Sequence, residues 1–271
     1  MLNENDLRLN LSSRCAVARR LRVGVLAAAV LALLGPRTAQ AGELERVLND
    51  TKDYVTAPLR WNKNDWEWFA GSIAATALAT TADESVRNHF APGPATGQHA
   101  SHELRDAAPL ALLTAGTYLV SRFGGDDNMK RTSFDMAEAG ALAMLSAAAF
   151  KFIAGRTRPF ETTQSNQWFK SGNAFPSGHA SAAFAVATVF AEQGPNPTFA
   201  RRALAYGLAG ATAYARLDGN SHWLSDVVGG AALGIATGRF MLHRHSNASA
   251  AQFNIVPTDG GAMLTWTMQP R

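Results

Sequence analysis

Residues 133–159 read SFDMAEAGALAMLSAAAFKFIAGRTRP. From Ser133 to Ala154, small and apolar residues follow one another without the strict alternation of a strand, over a length that suits a helix. Gly155 and Pro159 break the run, and the residue before a proline avoids helical backbone. Lys151 is therefore expected near the end of an apolar helix, with Arg158 on the loop just beyond it. Runs of the same character recur at 65–82, 107–122, 179–193, 200–215 and 223–242. Pro92-Gly93-Pro94, Gly124-Gly125-Asp126 and Gly194-Pro195-Asn196-Pro197 separate several of them. Together with 133–154 these predict an all-α protein, a six-helix bundle without internal repeats. The end of the chain differs: Phe253–Val256 and Met263–Met268 flank Thr258-Asp259-Gly260-Gly261, the pattern of a short C-terminal β-hairpin.

The 271 residues suffice for one sizeable domain. Hydrophobic residues make up 47% and charged residues 17%, yet mean hydropathy is only -0.08 because much of the apolar content is alanine. Arg14, Arg19, Arg20 and Arg22 precede the apolar run Val23–Leu34, and Ala39 and Ala41 follow it at signal-peptidase spacing. Residues 1–41 are expected to be a signal peptide, since the apolar run falls short of the ~20 residues needed to span a bilayer. An uncleaved anchor is the alternative. That leader carries six arginines and two acids, so without it the basic and acidic residues number 19 each. The sequence pI near 9.5 belongs to the leader and gives no support for nucleic-acid binding. The one cysteine, Cys15, also lies there, which excludes disulfides and thiol catalysis from the mature chain. Asp135, Glu138, Lys151, Arg201, Arg202, Arg216, Asp226 and Arg239 interrupt the apolar segments, leaving 107–122 as the clean one. Intramembrane charges are costly, so a soluble or membrane-peripheral bundle is expected over an integral one.

Three short stretches gather cations, hydroxyls and histidines. Lys151 and Arg158 could converge on one anion. Phe175-Pro176-Ser177-Gly178-His179 opens the segment 179–193, where free backbone N–H groups and the helix dipole favour an anion. His179 would there protonate an oxygen held at the helix start. In Arg216-Leu217-Asp218-Gly219-Asn220-Ser221-His222-Trp223-Leu224-Ser225-Asp226, the last aspartate stands four residues after His222. On a helix the two share a face, so the carboxylate can accept from one ring nitrogen and leave the other as a nucleophile. Taken singly, each stretch is more often a cap, a structural pair or a solvated helix end.

Their combination and order resemble the three-part signature of the type 2 phosphatidic acid phosphatase superfamily, which also includes class A acid phosphatases and vanadium haloperoxidases. Lys151 with Arg158-Pro159, Pro176-Ser177-Gly178-His179, and Arg216 with His222 and Asp226 carry the resemblance, which spans about 65–242. It implies a helical bundle of the acid phosphatase/haloperoxidase type. The chain is read as a signal peptide at 1–41, an N-terminal segment at 42–64, a helical phosphatase domain at 65–245 and a tail at 246–271. The resemblance also implies that His222 attacks phosphorus and becomes phosphohistidine, that Asp226 orients it, and that His179 gives a proton to the leaving oxygen and later activates water. Lys151, Arg158, Ser177, the Gly178 amide and Arg216 would hold the phosphoryl oxygens. One departure is Ala215, where the family often has serine before the arginine.

Three cations and backbone N–H groups can supply the charge neutralisation that phosphoryl transfer requires, and two histidines of near-neutral pKa suit a nucleophile and a proton donor. No metal or cofactor is expected: His89, His99, His102, His243 and His245 have no carboxylates at ligand spacing, and the last two are expected to be solvated or dipole partners. Trp168, Phe169 and Phe175 either line an apolar groove for a lipid chain or anchor their loop, and Lys170 is expected on the solvated surface. Trp61, Trp66 and Trp68 suit an interfacial belt or ordinary packing equally. The expected function is a metal-independent phosphatase of the periplasm or cell envelope, acting on a phosphomonoester or diphosphate, more readily a lipid phosphate than a soluble one. A vanadate-dependent haloperoxidase and a non-catalytic envelope protein with a vestigial site stay open beside it. Oligomeric state is not readable from the sequence.

Overall fold

The computed structural model describes residues 41–96, 103–124, 127–193, 197–248, 252–258 and 261–267. The expected signal peptide lies, but for Ala41, outside the described residues. The chain divides into two units, Met1–Asn49 and Asp50–Arg271. In the first, residues 41–49 are helical. The second holds the remaining elements and all three motifs.

Helices run α1 (Ala41–Thr56), α2 (Lys63–Thr80), α3 (Asp83–Phe90), α4 (Glu103–Gly124), α5 (Asp127–Ala154), α6 (Gly178–Glu192), α7 (Phe199–Asp218) and α8 (Leu224–Ala248), with a short 3-10 turn at Ala57–Arg60. All-α architecture is borne out, but the described residues hold eight helices, two more than expected. Both additions, α1 and α3, are rich in charged and polar residues, so neither carries the apolar run that marked the other six. Strands β1 (Gln252–Thr258) and β2 (Gly261–Thr267) pair antiparallel beyond α8.

Local chemistry accounts for the helix starts. Asn62 caps α2, accepting from the N–H groups of Asn64 and Asp65 at 2.8 and 3.2 Å, while the Asp65 carboxylate accepts from the Asn62 N–H at 2.9 Å. Ser177 caps α6 and Thr198 caps α7. At the end of α5, Gly155 turns the chain at φ +54°, a left-handed conformation that favours glycine.

Helix α6 is the hub, packed by α5, α7 and α8. Its buried residues are mostly alanines and valines, and they meet Met136, Leu142, Ala205, Ala209 and Met241 in one core. The side chains are small, so burial is won by bringing backbones close rather than by filling space with large groups. A glycine stripe on α8 makes this possible. A Cβ on Gly230 would stand 2.6 Å from the Ser177 carbonyl oxygen, and one on Gly238 would stand 2.7 Å from Thr188 Cβ. One on Gly234 would collide with the Ser181 carbonyl oxygen and the Ala185 nitrogen. Glycine inside a helix costs roughly 1 kcal/mol relative to alanine, and close packing onto α6 offsets it here.

Many large apolar side chains remain exposed, among them Leu78, Leu112, Phe123 and Phe152. Among the described residues, the helix Asn128–Ala154 is long and apolar enough to cross a membrane, with a mean hydropathy of 1.4. The cleaner run expected at 107–122 lies in α4 and does not meet that measure. Trp61, Trp66 and Phe69 form an edge-on aromatic cluster, and Trp68 lies under the Arg239 guanidinium at 4.4 Å.

Alanine at position 234 is expected to destabilise the protein by about 1–3 kcal/mol, the usual cost of overpacking. Gly207→Ala, on α7 with open space around it, should instead stabilise by about 0.5–1 kcal/mol. Denaturant unfolding of the two variants against the parent checks both signs.

Candidate active site

Backbone and side-chain bonds tie the three motifs together. The Ser177 N–H donates to the Asp226 carbonyl at 2.9 Å, joining the start of α6 to the first turn of α8. The Trp223 indole N–H donates to the Thr157 carbonyl at 2.9 Å, joining that turn to the loop after α5. Lys151 Nζ, on the last turn of α5, donates to the carbonyls of Asn173 and Ala174 at 2.7 and 3.2 Å, just before the α6 start. Arg158 Nε donates to Asn173 Oδ1 at 2.6 Å. Gly178 lies against α5: a Cβ there would meet Met144 Sδ at 3.0 Å and Lys151 Cε at 3.9 Å.

The loop 155–177 folds back on itself to hold these positions. Phe169 and Lys170 donate to the carbonyls of Ala154 and Gly155, and Ala174 donates to that of Arg156. Gly172 lies so near the Arg156 carbonyl that a Cβ would collide with it. Trp168 packs edge-on against Phe175 at 5.3 Å, whereas Phe169 is 78% exposed. The aromatic residues thus divide: Trp168 and Phe175 anchor the loop, and Phe169 projects from it. Lys170 is exposed, as expected.

His222 is buried, and its Nδ1 stands 3.5 Å from Asp226 Oδ2, at the limit of hydrogen-bond reach. Oδ2 also accepts from the Trp223 backbone N–H at 2.9 Å, and Oδ1 from Arg156 Nη1 at 2.6 Å. The His222 backbone N–H donates to the Arg216 carbonyl at 3.3 Å, so the helix that carries the arginine also positions the imidazole. Burial and then the charges of Lys151, Arg158 and Arg216 hold the His222 pKa well below the usual histidine range. Burial and the charges of Arg216, Lys151 and Arg158 lower His179 to about 3. The same three cations act on both rings. The expectation of two near-neutral imidazoles needs correction, because the sequence does not show how deeply this cationic cup is buried. Burial pushes the Asp226 carboxyl up to about 6, against the opposing pull of Arg156 and the Trp223 N–H. Ser177 is fully buried at the cap, its Oγ accepting from the Ala180 N–H at 3.4 Å.

Among the residues expected from the sequence, bonds and close approaches bring together Lys151, Arg158, Ser177, Gly178, His222 and Asp226. Three others were not singled out. Arg156, Asp83 and Ser225 are buried within hydrogen-bond distance of one another, and Arg156 reaches Asp226. Arg156 falls between Lys151 and Arg158, so its charge was legible, but its partner Asp83 lies 73 positions away.

His245 also departs from expectation. Its ring nitrogens stand 3.1 Å from Asp50 Oδ2 and 3.0 Å from Asp135 Oδ1, and Arg244 bridges Asp50 and Asp53. Asp50, Glu138 and His245 bring ligand-type atoms within 4.8 Å of one another. The carboxylates come from α1 and α5, far away in sequence, which is why no spacing announced them. Ion pairing with Arg244 and His245 accounts for Asp50 in this group.

Comparison with known proteins agrees with the motif geometry. The model of the PAP2 superfamily matches residues 133–250. A lipid A 1-phosphatase of Porphyromonas gingivalis is 40% identical over 96 residues, which cover 35% of this chain and 19% of that protein. The matched stretch is thus about a fifth of the length of that curated relative. Among solved structures, Aquifex aeolicus LpxE is similar at 25% identity and a TM-score of 0.37, over 53% of this chain and 88% of that one. The transmembrane PAP2 type phosphatidylglycerolphosphate phosphatase from Bacillus subtilis is similar at 18% identity and a TM-score of 0.37, over 85% of this chain and 96% of that one. The stretch that matches the PAP2 superfamily model, residues 133–250, holds all three motifs, whose order and spacing resemble that family's signature.

Proposed function

We propose that the protein is a phosphatase that hydrolyses a phosphate monoester or diphosphate, preferentially a lipid phosphate, through a phosphohistidine on His222 and without a metal. The observation that carries the reading is the buried pair His222–Asp226, with Nδ1 turned to the carboxylate and three cations acting on the ring. Nδ1 stands 3.5 Å from Asp226 Oδ2 without a hydrogen bond as the site lies; once it closes on that carboxylate, Nε2 is the nitrogen left to attack.

In the first step His222 Nε2 forms a bond to phosphorus as the ester P–O bond breaks, and His179 passes its proton to the leaving oxygen. In the second, His179 takes a proton from water, the water oxygen bonds to phosphorus, and the P–N bond breaks to release phosphate. Lys151, Arg158 and Arg216 neutralise the equatorial oxygens, with the N–H groups at the start of α6 beside them. His179 is held at about 3 largely by burial and those cations. A phosphoryl dianion among them cancels their field and raises the His179 pKa, so substrate itself arms the proton donor.

Support for a lipid substrate comes from two sides. The matched relative is a lipid A 1-phosphatase. Phe152, Ile153 and Phe169, on the segments that flank Lys151 and Arg156, are exposed and apolar, suited to acyl chains or a membrane surface. A site in the cell envelope, reached through the expected signal peptide, fits such a substrate.

His222→Ala should lower phosphate release by at least about 1,000-fold, as loss of a nucleophile does elsewhere, and EDTA should leave the parent's activity intact. A panel of phosphatidic acid, a polyprenyl diphosphate, lipid A and p-nitrophenyl phosphate reads both; activity retained in the variant contradicts the mechanism.

The pH dependence follows from Asp226. Its raised pKa means that it gains a proton, and loses the ability to accept from His222, as pH falls through about 6. His222, lowered by burial and cations, stays neutral over that range. The kcat of the parent, which reads the substrate complex where His179 already holds its proton, should therefore drop about tenfold per unit below about pH 6, and Asp226→Asn should abolish that limb along with most of the rate.

A further inference from the structure

Behind His222 and Asp226 lies a buried array of charge that phosphate recognition does not use. Arg156 is 1% exposed and each of its N–H groups has an acceptor. Nε and Nη2 donate to the Ser165 carbonyl at 3.1 and 2.7 Å. Nη2 also donates to Asp83 Oδ2 at 2.6 Å, and Nη1 donates to Ser225 Oγ at 2.7 Å and Asp226 Oδ1 at 2.6 Å. Trp168 stacks on the guanidinium at 4.3 Å and Trp223 faces it at 5.5 Å. Asp83, fully buried at the start of α3, accepts from the Ser225 backbone N–H at 2.8 Å and from Ser225 Oγ at 2.7 Å.

An Asp–Arg–Asp triad of this kind is a poor source of stability, because removing three charges from water costs about as much as their attraction returns. Its position suggests another use. Arg156 grips one oxygen of Asp226, which leaves the other, Oδ2, toward His222 Nδ1. Asp83 grips Arg156 from the opposite side and pins the backbone of Ser225, the residue before Asp226. We propose that Arg156 and Asp83 are positioning residues for the His222–Asp226 pair, Arg156 by fixing the rotation and charge of the Asp226 carboxylate and Asp83 by fixing Arg156 and the first turn of α8.

The two residues should act with different signatures. Arg156 supplies the positive charge that opposes protonation of Asp226, and without it that carboxyl gains its proton at higher pH. Asp83 is negative, so its loss disturbs geometry without that upward shift. Neither residue touches the phosphoryl oxygens in this scheme, so affinity for phosphate should survive both changes.

The inference rests on the phosphatase reading, and the experiment separates the two. Full-length parent, Arg156→Met, Arg156→Lys and Asp83→Asn proteins are compared for kcat, KM and pH profile on p-nitrophenyl phosphate, and for competitive inhibition by inorganic phosphate. Arg156→Met should lose on the order of 100-fold in kcat, the scale of a displaced orienting group. Its acid limb should move up by at least about one pH unit, while KM and the inhibition constant for phosphate stay within about threefold of the parent. Arg156→Lys should recover part of the limb position. Asp83→Asn should lower kcat by about tenfold, a ~1.4 kcal/mol disturbance, with no upward move of the limb. Folded variants with the parent's kcat and limb overturn the inference alone. Phosphate inhibition weakened in step with kcat overturns it also, as does failure of all three variants to fold, since either marks a merely structural role. A parent inactive on every ester removes the phosphatase reading and the inference with it.

Discussion

The approach of α8 to α6 sets how the second and third motifs meet. Where Gly230, Gly234 and Gly238 face α6, no side chain stands between the two backbones, and the helices pack at the separation that bare glycine allows. That separation lets the Ser177 N–H reach the Asp226 carbonyl, so the cap of one helix and the first turn of the next share a hydrogen bond. A Cβ at Gly230 would stand against the Ser177 carbonyl, which makes the glycine as much a part of the site as the histidines. In an alanine-rich core, little is gained from large buried side chains. Close contact supplies the packing, and the geometry of the site comes with it.

Burial then gives the residues their chemistry. Lys151, Arg158 and Arg216 could be solvated surface cations on another scaffold, where they would perturb little. Here, together with desolvation, they act on a buried His222 and a half-buried His179 and keep both neutral. In the proposed mechanism, neutrality suits His222, which would need a lone pair, and would disable His179 as an acid unless a bound anion restored its proton. Asp226 meets the opposite pressure, with desolvation favouring its acid form while Arg156 and a backbone N–H favour the carboxylate. The site is thus poised by opposed effects, each traceable to a named residue.

Much of this was legible in the sequence. The spacing of His222 and Asp226 implied their proximity, and Nδ1 stands 3.5 Å from the carboxylate, although His222 lies in the bend before α8 rather than on a shared helix face. Gly155 and Pro159 marked the end of α5, and Pro176-Ser177 the start of α6, as found. What escaped was non-local or unmarked by apolar periodicity. Helices α1 and α3 are polar, and the Asp83–Arg156 pair joins residues 73 apart. His245 meets Asp50 across 195 positions. The depth of the cup, and with it the lowered pKa of both histidines, also depends on how α5, α6, α7 and α8 close together, which no single segment encodes.

Whether the His222 ring bonds to phosphorus is tested most directly by trapping the enzyme during turnover. The parent and the His222→Asn variant are mixed with a 32P-labelled ester, quenched rapidly without acid and mapped by peptide. In the parent, label is expected on His222 as a phosphoramidate, lost in mild acid and stable in base; the variant should carry none. Label on a serine or aspartate, or turnover with no labelled enzyme at any time point, would contradict a histidine nucleophile.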